Sequence, residues 1–143
     1  MAINIKRALT FLKRSLDKDW GKIDFKYSQE SKDEIKATAE VTLNGFDDDI
    51  MLIINGYAGG GTSFRAVFDK IEKNPQTLAL VNEFNDNNAF FKAFIRTDGY
   101  LELCNFFICF DECMYRDYGS EFLYRVVDLQ KNDTMKKLSA LTK

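Results

Sequence analysis

Ile5, Leu9, Leu12 and Leu16 fall at steps of four, three and four, the spacing of one face of an amphipathic helix. Lys6, Arg7, Lys13, Arg14 and Asp17 lie largely off that face, and Gly21 is the expected end of the helix. The period then changes. Ile23, Phe25 and Tyr27 alternate with Lys22, Asp24 and Lys26, which predicts a half-exposed strand. Ile35, Ala37, Ala39, Val41 and Leu43 alternate with Lys36, Thr38, Glu40 and Thr42 and predict a longer one. Asn44-Gly45 signals a hairpin turn after it. Residues 50–57 are apolar on both faces and predict a central strand. Gly59-Gly60-Gly61 reads as a loose hairpin connection to a strand over 63–69, with Phe64, Ala66 and Phe68 on one side.

Asn74-Pro75 is a helix start, a capping side chain followed by proline at the first helical position. Leu78, Val81 and Phe84 mark the buried face of that helix. Asn85 is expected to help end it and Asn82 to bond nearby backbone. Phe90–Ile95, the turn Thr97-Asp98-Gly99 and Tyr100–Phe110 predict a second hairpin. Ser120 can cap a helix carrying Phe122, Val126 and Leu129, which Asn132-Asp133 interrupts before Met135, Leu138 and Leu141. The order is α, four strands, α, two strands, α. It predicts an α+β fold: one antiparallel β-sheet with N-terminal, middle and C-terminal helices. With no repeat or linker, residues 1–143 read as a single domain.

The last two strands are apolar on both sides. Phe91, Ala93 and Ile95 face one way and Phe90 and Phe94 the other. Leu101, Leu103 and Phe107 oppose Cys104, Phe106, Ile108 and Phe110. Strands of this kind are covered on both faces. A helix layer is one cover. The other is a terminal helix, acting through Phe122, Val126 and Leu138, or a second subunit, or a bound partner. Eight of the 13 phenylalanines lie between Phe84 and Phe122, more apolar surface than one helix layer needs. Phe90, Phe91, Phe94, Phe106, Ile108 and Phe110 are therefore the candidate partner-binding residues.

Charge narrows the partner. Residues 1–36 hold nine basic and six acidic residues, residues 37–134 hold eight and sixteen, and the last nine hold three lysines and no acid. A basic start on an acidic body implies no continuous basic surface, which argues against nucleic acid. The apolar run after Lys6-Arg7 is too short for a secretory signal and far too short for a membrane span. An odd number of cysteines, three, and no signal point to a reducing cytoplasm.

Candidate chemistry is sparse. There is no histidine, so a Cys–His nucleophile cannot form within the chain. Cys104, Cys109 and Cys113 lack zinc-site spacing; the first two read as small buried residues on opposite sides of a strand, and Cys113 as exposed. The glycine run lacks the Lys-Ser/Thr of a phosphate loop. Asp47-Asp48-Asp49 lacks the later ligands of a calcium loop and reads as a solvated turn. No metal or cofactor is expected. Nothing places two of the 22 acids together for carboxylate catalysis.

Asn82-Glu83-Phe84-Asn85, then a strand, then Asp98-Gly99-Tyr100-Leu101-Glu102-Leu103, resembles the YbjN family of small bacterial proteins. The match covers about residues 75–110, and the N-terminal half agrees by element order. The extra strand after the glycine run and the cysteine-rich segment depart from the family's pattern. The resemblance implies a fold like that of type III secretion chaperones: a helix, antiparallel strands, a middle helix, two strands and a C-terminal helix. Members of the group are described as regulators without an agreed biochemical activity. The related chaperones are acidic dimers that hold an unfolded segment of a secreted protein. The leading expectation is thus a non-enzymatic protein-binding module, a chaperone-like adaptor or regulator that holds another polypeptide or its own copy. The alternatives are a small-molecule sensor with a Phe-lined apolar pocket and a carboxylate-based enzyme.

Overall fold

The computed structural model describes residues 3–19 and 23–142. Gly21 and Lys22, expected at the end of the first helix and the start of the first strand, lie outside them. The fold is α+β; the described residues form a six-stranded antiparallel sheet and four α-helices. Helix α1 (Ile5–Asp19) is capped by Asn4, whose Oδ1 accepts from Arg7 N at 3.0 Å. It buries Ile5, Ala8, Leu12 and Leu16.

Strand β1 (Lys26–Ser31) begins three residues later than the alternation from Ile23 predicts. Phe25 is buried but precedes the ladder. The pairing with β2 (Glu34–Val41) runs from Lys26 opposite Thr38 to Ser31 opposite Glu34, so it takes in the polar stretch Ser28–Ser31. An edge strand extends as far as its neighbour and turn allow, whatever its hydrophobic pattern. Asn44-Gly45 also differs from expectation. Phe46 N donates to Leu43 O at 3.1 Å across a turn in which Gly45 has φ +88°. That turn lies inside an eight-residue connection, 42–49, rather than a two-residue hairpin.

Strands β3 (Ile50–Tyr57) and β4 (Gly61–Lys70) form a hairpin closed by Gly60 N donating to Tyr57 O at 2.8 Å. After helix α2 (Pro75–Asn87) come β5 (Lys92–Ile95) and β6 (Tyr100–Ile108). The order across the sheet is β1-β2-β3-β4-β6-β5, so the second hairpin joins through β6 and leaves β5 at the edge.

Helix α3 spans Cys113–Asp128, and α4 spans Asp133–Ala140 after a short 3₁₀ turn. The expected cap at Ser120 is mid-helix. Tyr115, Gly119, Phe122, Leu123 and Val126 form the buried face, and the exposed residues between Cys113 and Asp117 had hidden its first half. Asn132 caps α4 through Met135 N at 2.8 Å. On α2 the buried residues are Thr77, Val81 and Phe84; Leu78 is exposed, one step off that face.

The core lies between the helices and one sheet face. Ile35, Ala37, Leu52, Ile54, Phe64, Ala66, Leu101 and Leu103 point into it, with Phe122, Val126 and Leu138 above them. Each of the buried Leu, Ile, Val and Phe side chains stabilises the fold by ~1.5–3 kcal/mol. Among the described residues, no helix is long and apolar enough to cross a membrane.

Candidate protein-binding face

The alternate residues of the same strands make the opposite face of the sheet. Its middle row, in register, is Thr38, Ile53, Arg65, Cys104 and Lys92. None of these is buried, whereas the neighbouring inward residues Ala37, Ile54, Phe64 and Leu103 are. Phe122, Val126 and Leu138 cover the inward face, so the terminal helices leave the outward face open. Toward β6 that open face becomes apolar. Phe106 is 63% exposed and Ile108 55%, and Phe110 just beyond the strand is 68% exposed. Phe94 on β5 is also exposed.

Two candidates sit elsewhere. Phe91 is 3% exposed and packs edge-on against Phe122, centroids 6.0 Å apart, so it is core. Phe90 precedes β5 and is half-buried on the helix side, against Phe91 and Phe107 with Arg125 over its ring. Strand alternation could not assign Phe90, because the ladder begins at Lys92.

A polar chain that sequence reasoning missed crosses the open face. Glu102 is buried between Arg65 at 3.7 Å and Arg96 at 3.5 Å. Arg65 Nη2 donates to Asn55 Oδ1 at 3.0 Å, and Asn55 Nδ2 donates to Glu34 at 3.1 Å. Burial pushes the Glu102 carboxyl above its usual range, against the opposing pull of the two arginines. Arg65 and Glu102 are outward positions in their alternation, but only strand pairing makes them neighbours.

Side-chain amides hold β5 in place. The sequence places Asn85 at a helix end; instead its Oδ1 accepts from Ala93 N at 2.7 Å and its Nδ2 donates to Ala93 O at 3.0 Å. The helix ends at Asn88, whose N–H donates to Phe84 O. Asn82 is exposed. Asn105 Nδ2 donates to Phe90 O.

The β6 main chain has a free stretch. Cys109 N donates to Gly60 O at 2.7 Å, and Arg96 N donates to Tyr100 O at 2.8 Å. Hydrogen-bonding direction alternates along a strand, so odd residues of β6 bond toward β4 and even ones toward β5. β5 pairs only with Leu101–Cys104. The main-chain groups of Phe106 and Ile108 therefore point past the end of β5. A cleft of about 480 Å³ opens there, lined in part by Asn88, Phe90, Lys92, Asn105 and Phe106.

Cys109 is buried beside Thr62 Oγ1 at 3.4 Å, and burial raises its thiol pKa. Cys104 is only half-buried, because it faces the open side, and Cys113 is exposed. Among the described residues, no group of three or more His, Cys, Asp or Glu could hold a metal ion. Asp47, Asp48 and Asp49 are exposed, and Asp48 accepts from Thr142 Oγ1 at 3.2 Å.

No protein-family model, curated protein or solved structure matches this chain.

Proposed function

We propose that this protein is a non-enzymatic binding module that holds another polypeptide, a client or its own copy, on the uncovered face of its sheet. The observation that carries this reading is the exposure of Phe106, Ile108 and Phe110 at the C-terminal end of β6, past the start of β5. Large apolar side chains exposed at one end of a strand favour association. The free main-chain edge at Phe106–Ile108 suits an extended segment, which pairs through its backbone while its side chains meet these exposed ones. The YbjN and secretion-chaperone resemblance implies the same kind of surface, one that holds an extended chain. The small-ligand reading has less support, since Phe64, Phe91, Phe107 and Phe122 pack on one another at centroid distances of 5.2–6.0 Å.

The test compares the parent with Phe106→Asp and Ile108→Asp, and with Ser28→Asp on β1 as control. Each position is exposed, so circular dichroism should show folded protein. Sedimentation and affinity capture from the native host should show an association that Phe106→Asp and Ile108→Asp abolish and Ser28→Asp keeps. A strictly monomeric parent with the same captured set as both variants overturns the proposal.

A further inference from the structure

β5 is an edge strand, and edge strands expose main-chain groups that template another strand. Lys92 and Phe94 lie opposite Cys104 and Glu102 and bond toward β6, so Ala93 and Ile95 turn their N–H and C=O groups outward. The stretch Phe90–Ile95, Phe-Phe-Lys-Ala-Phe-Ile, holds five apolar residues, one charge and no proline. That composition favours self-pairing of strands. An antiparallel pair built on Ala93 against Ala93 would set each Lys92 opposite Phe94 of the other copy, so the two charges would not meet.

The outward groups of Ala93 are not free. Asn85 takes both, at 2.7 Å and 3.0 Å. The Asn85 carboxamide presents an N–H and its oxygen to Ala93 in one plane, as a peptide unit does. Asn85 thus sits where the residue of a seventh strand would sit. Asn88 closes the approach to the same segment, its Oδ1 accepting from Phe90 N at 3.0 Å and Phe91 N at 2.8 Å.

We infer that Asn85 is an amide clasp that closes the β5 edge to a second copy of this chain, and that opening the clasp turns β5 into a self-pairing edge. This is separate from the binding reading above. It concerns the edge along β5, whereas the binding reading rests on Phe106–Ile108 of β6, so the Asn85 variants are made in a Phe106→Asp background that removes that association from the readout.

The experiment measures amide hydrogen exchange and sedimentation for Asn85→Ala and Asn85→Asp. At the lowest concentration, Asn85→Ala should speed exchange at Ala93 about tenfold, the loss of one hydrogen bond. As concentration rises through the micromolar range it should self-associate, and exchange at Ala93 and Ile95 should slow again. Asn85→Asp keeps the acceptor and adds a charge at the edge, so it should keep the Ala93 N–H protected and stay unassociated. Asn85→Ser, too short to bond both groups of Ala93, carries the same expectation as Asn85→Ala if that variant fails to fold. Unchanged Ala93 exchange in Asn85→Ala, a monomer with a freed Ala93, protection gained elsewhere than β5, or association of Asn85→Asp each overturns the inference.

Discussion

The ring of Tyr115 occupies the space where a side chain on Gly56 would begin: a Cβ there would lie 2.7 Å from both Cε1 and the hydroxyl of Tyr115. Tyr115 is fully buried, and Thr62 Oγ1 lies 3.0 Å from its hydroxyl. The contact sets how closely α3 approaches β3. Gly56→Ala should cost about 1–3 kcal/mol through overpacking. Gly59→Ala, two residues past the end of β3 with nothing within 4 Å, should stay within about 0.5 kcal/mol of the parent. Urea denaturation of the pair checks both.

Asn74 opens α2 with a reciprocal cap. Its Oδ1 accepts from Thr77 N at 2.9 Å, and its own N–H donates to Thr77 Oγ1 at 3.0 Å. Asn74→Ala should cost about 1 kcal/mol, read as a lower thermal midpoint.

Glu102 carries a pH signature. Its folded-state pKa is raised, chiefly by burial. The folded protein therefore binds this proton more tightly than the unfolded chain does. Protonation favours the fold, and that contribution is lost as pH rises from the ordinary carboxylate range through the raised value. The stability of the parent relative to Glu102→Gln should thus increase as pH falls from 7 toward 4. Denaturation midpoints across that range give the result, and a difference independent of pH contradicts it.

Tyr118 stacks on Phe107 with centroids 4.0 Å apart and planes 5° apart, joining α3 to β6. Tyr118→Ala should destabilise by about 1–2 kcal/mol. Tyr118→Phe keeps the stack and should stay within about 0.5 kcal/mol. Equal losses in the two variants would assign the role to the hydroxyl.

The outward placement of Phe106 and Ile108 was legible from strand alternation, since period two assigns sides without knowledge of any partner strand. Ala93 obeyed the same rule, yet the side it faced turned out to be the covered one. Alternation distinguishes two faces but does not say which the helices take. The first half of α3 was illegible because its inward positions are Tyr115 and Gly119, a residue with a polar tip and one with no side chain. Glycine there reflects the approach of α1, since a Cβ would meet Leu12 Cδ1 at 3.0 Å.

What the sequence by itself determined is the α+β class, the element order, the cap at Asn74 and the sidedness of the central strands. These depend on residues within a few positions of one another, through periods of 3.6 and 2 and local hydrogen bonds. What only the tertiary structure decided is the strand order, the meeting of Arg65, Arg96 and Glu102, the grip of Asn85 on Ala93, and which face stays bare. Each depends on pairing between segments distant in the chain. A residue's type constrains what it can bond to, but only the packed sheet decides which partner lies within reach.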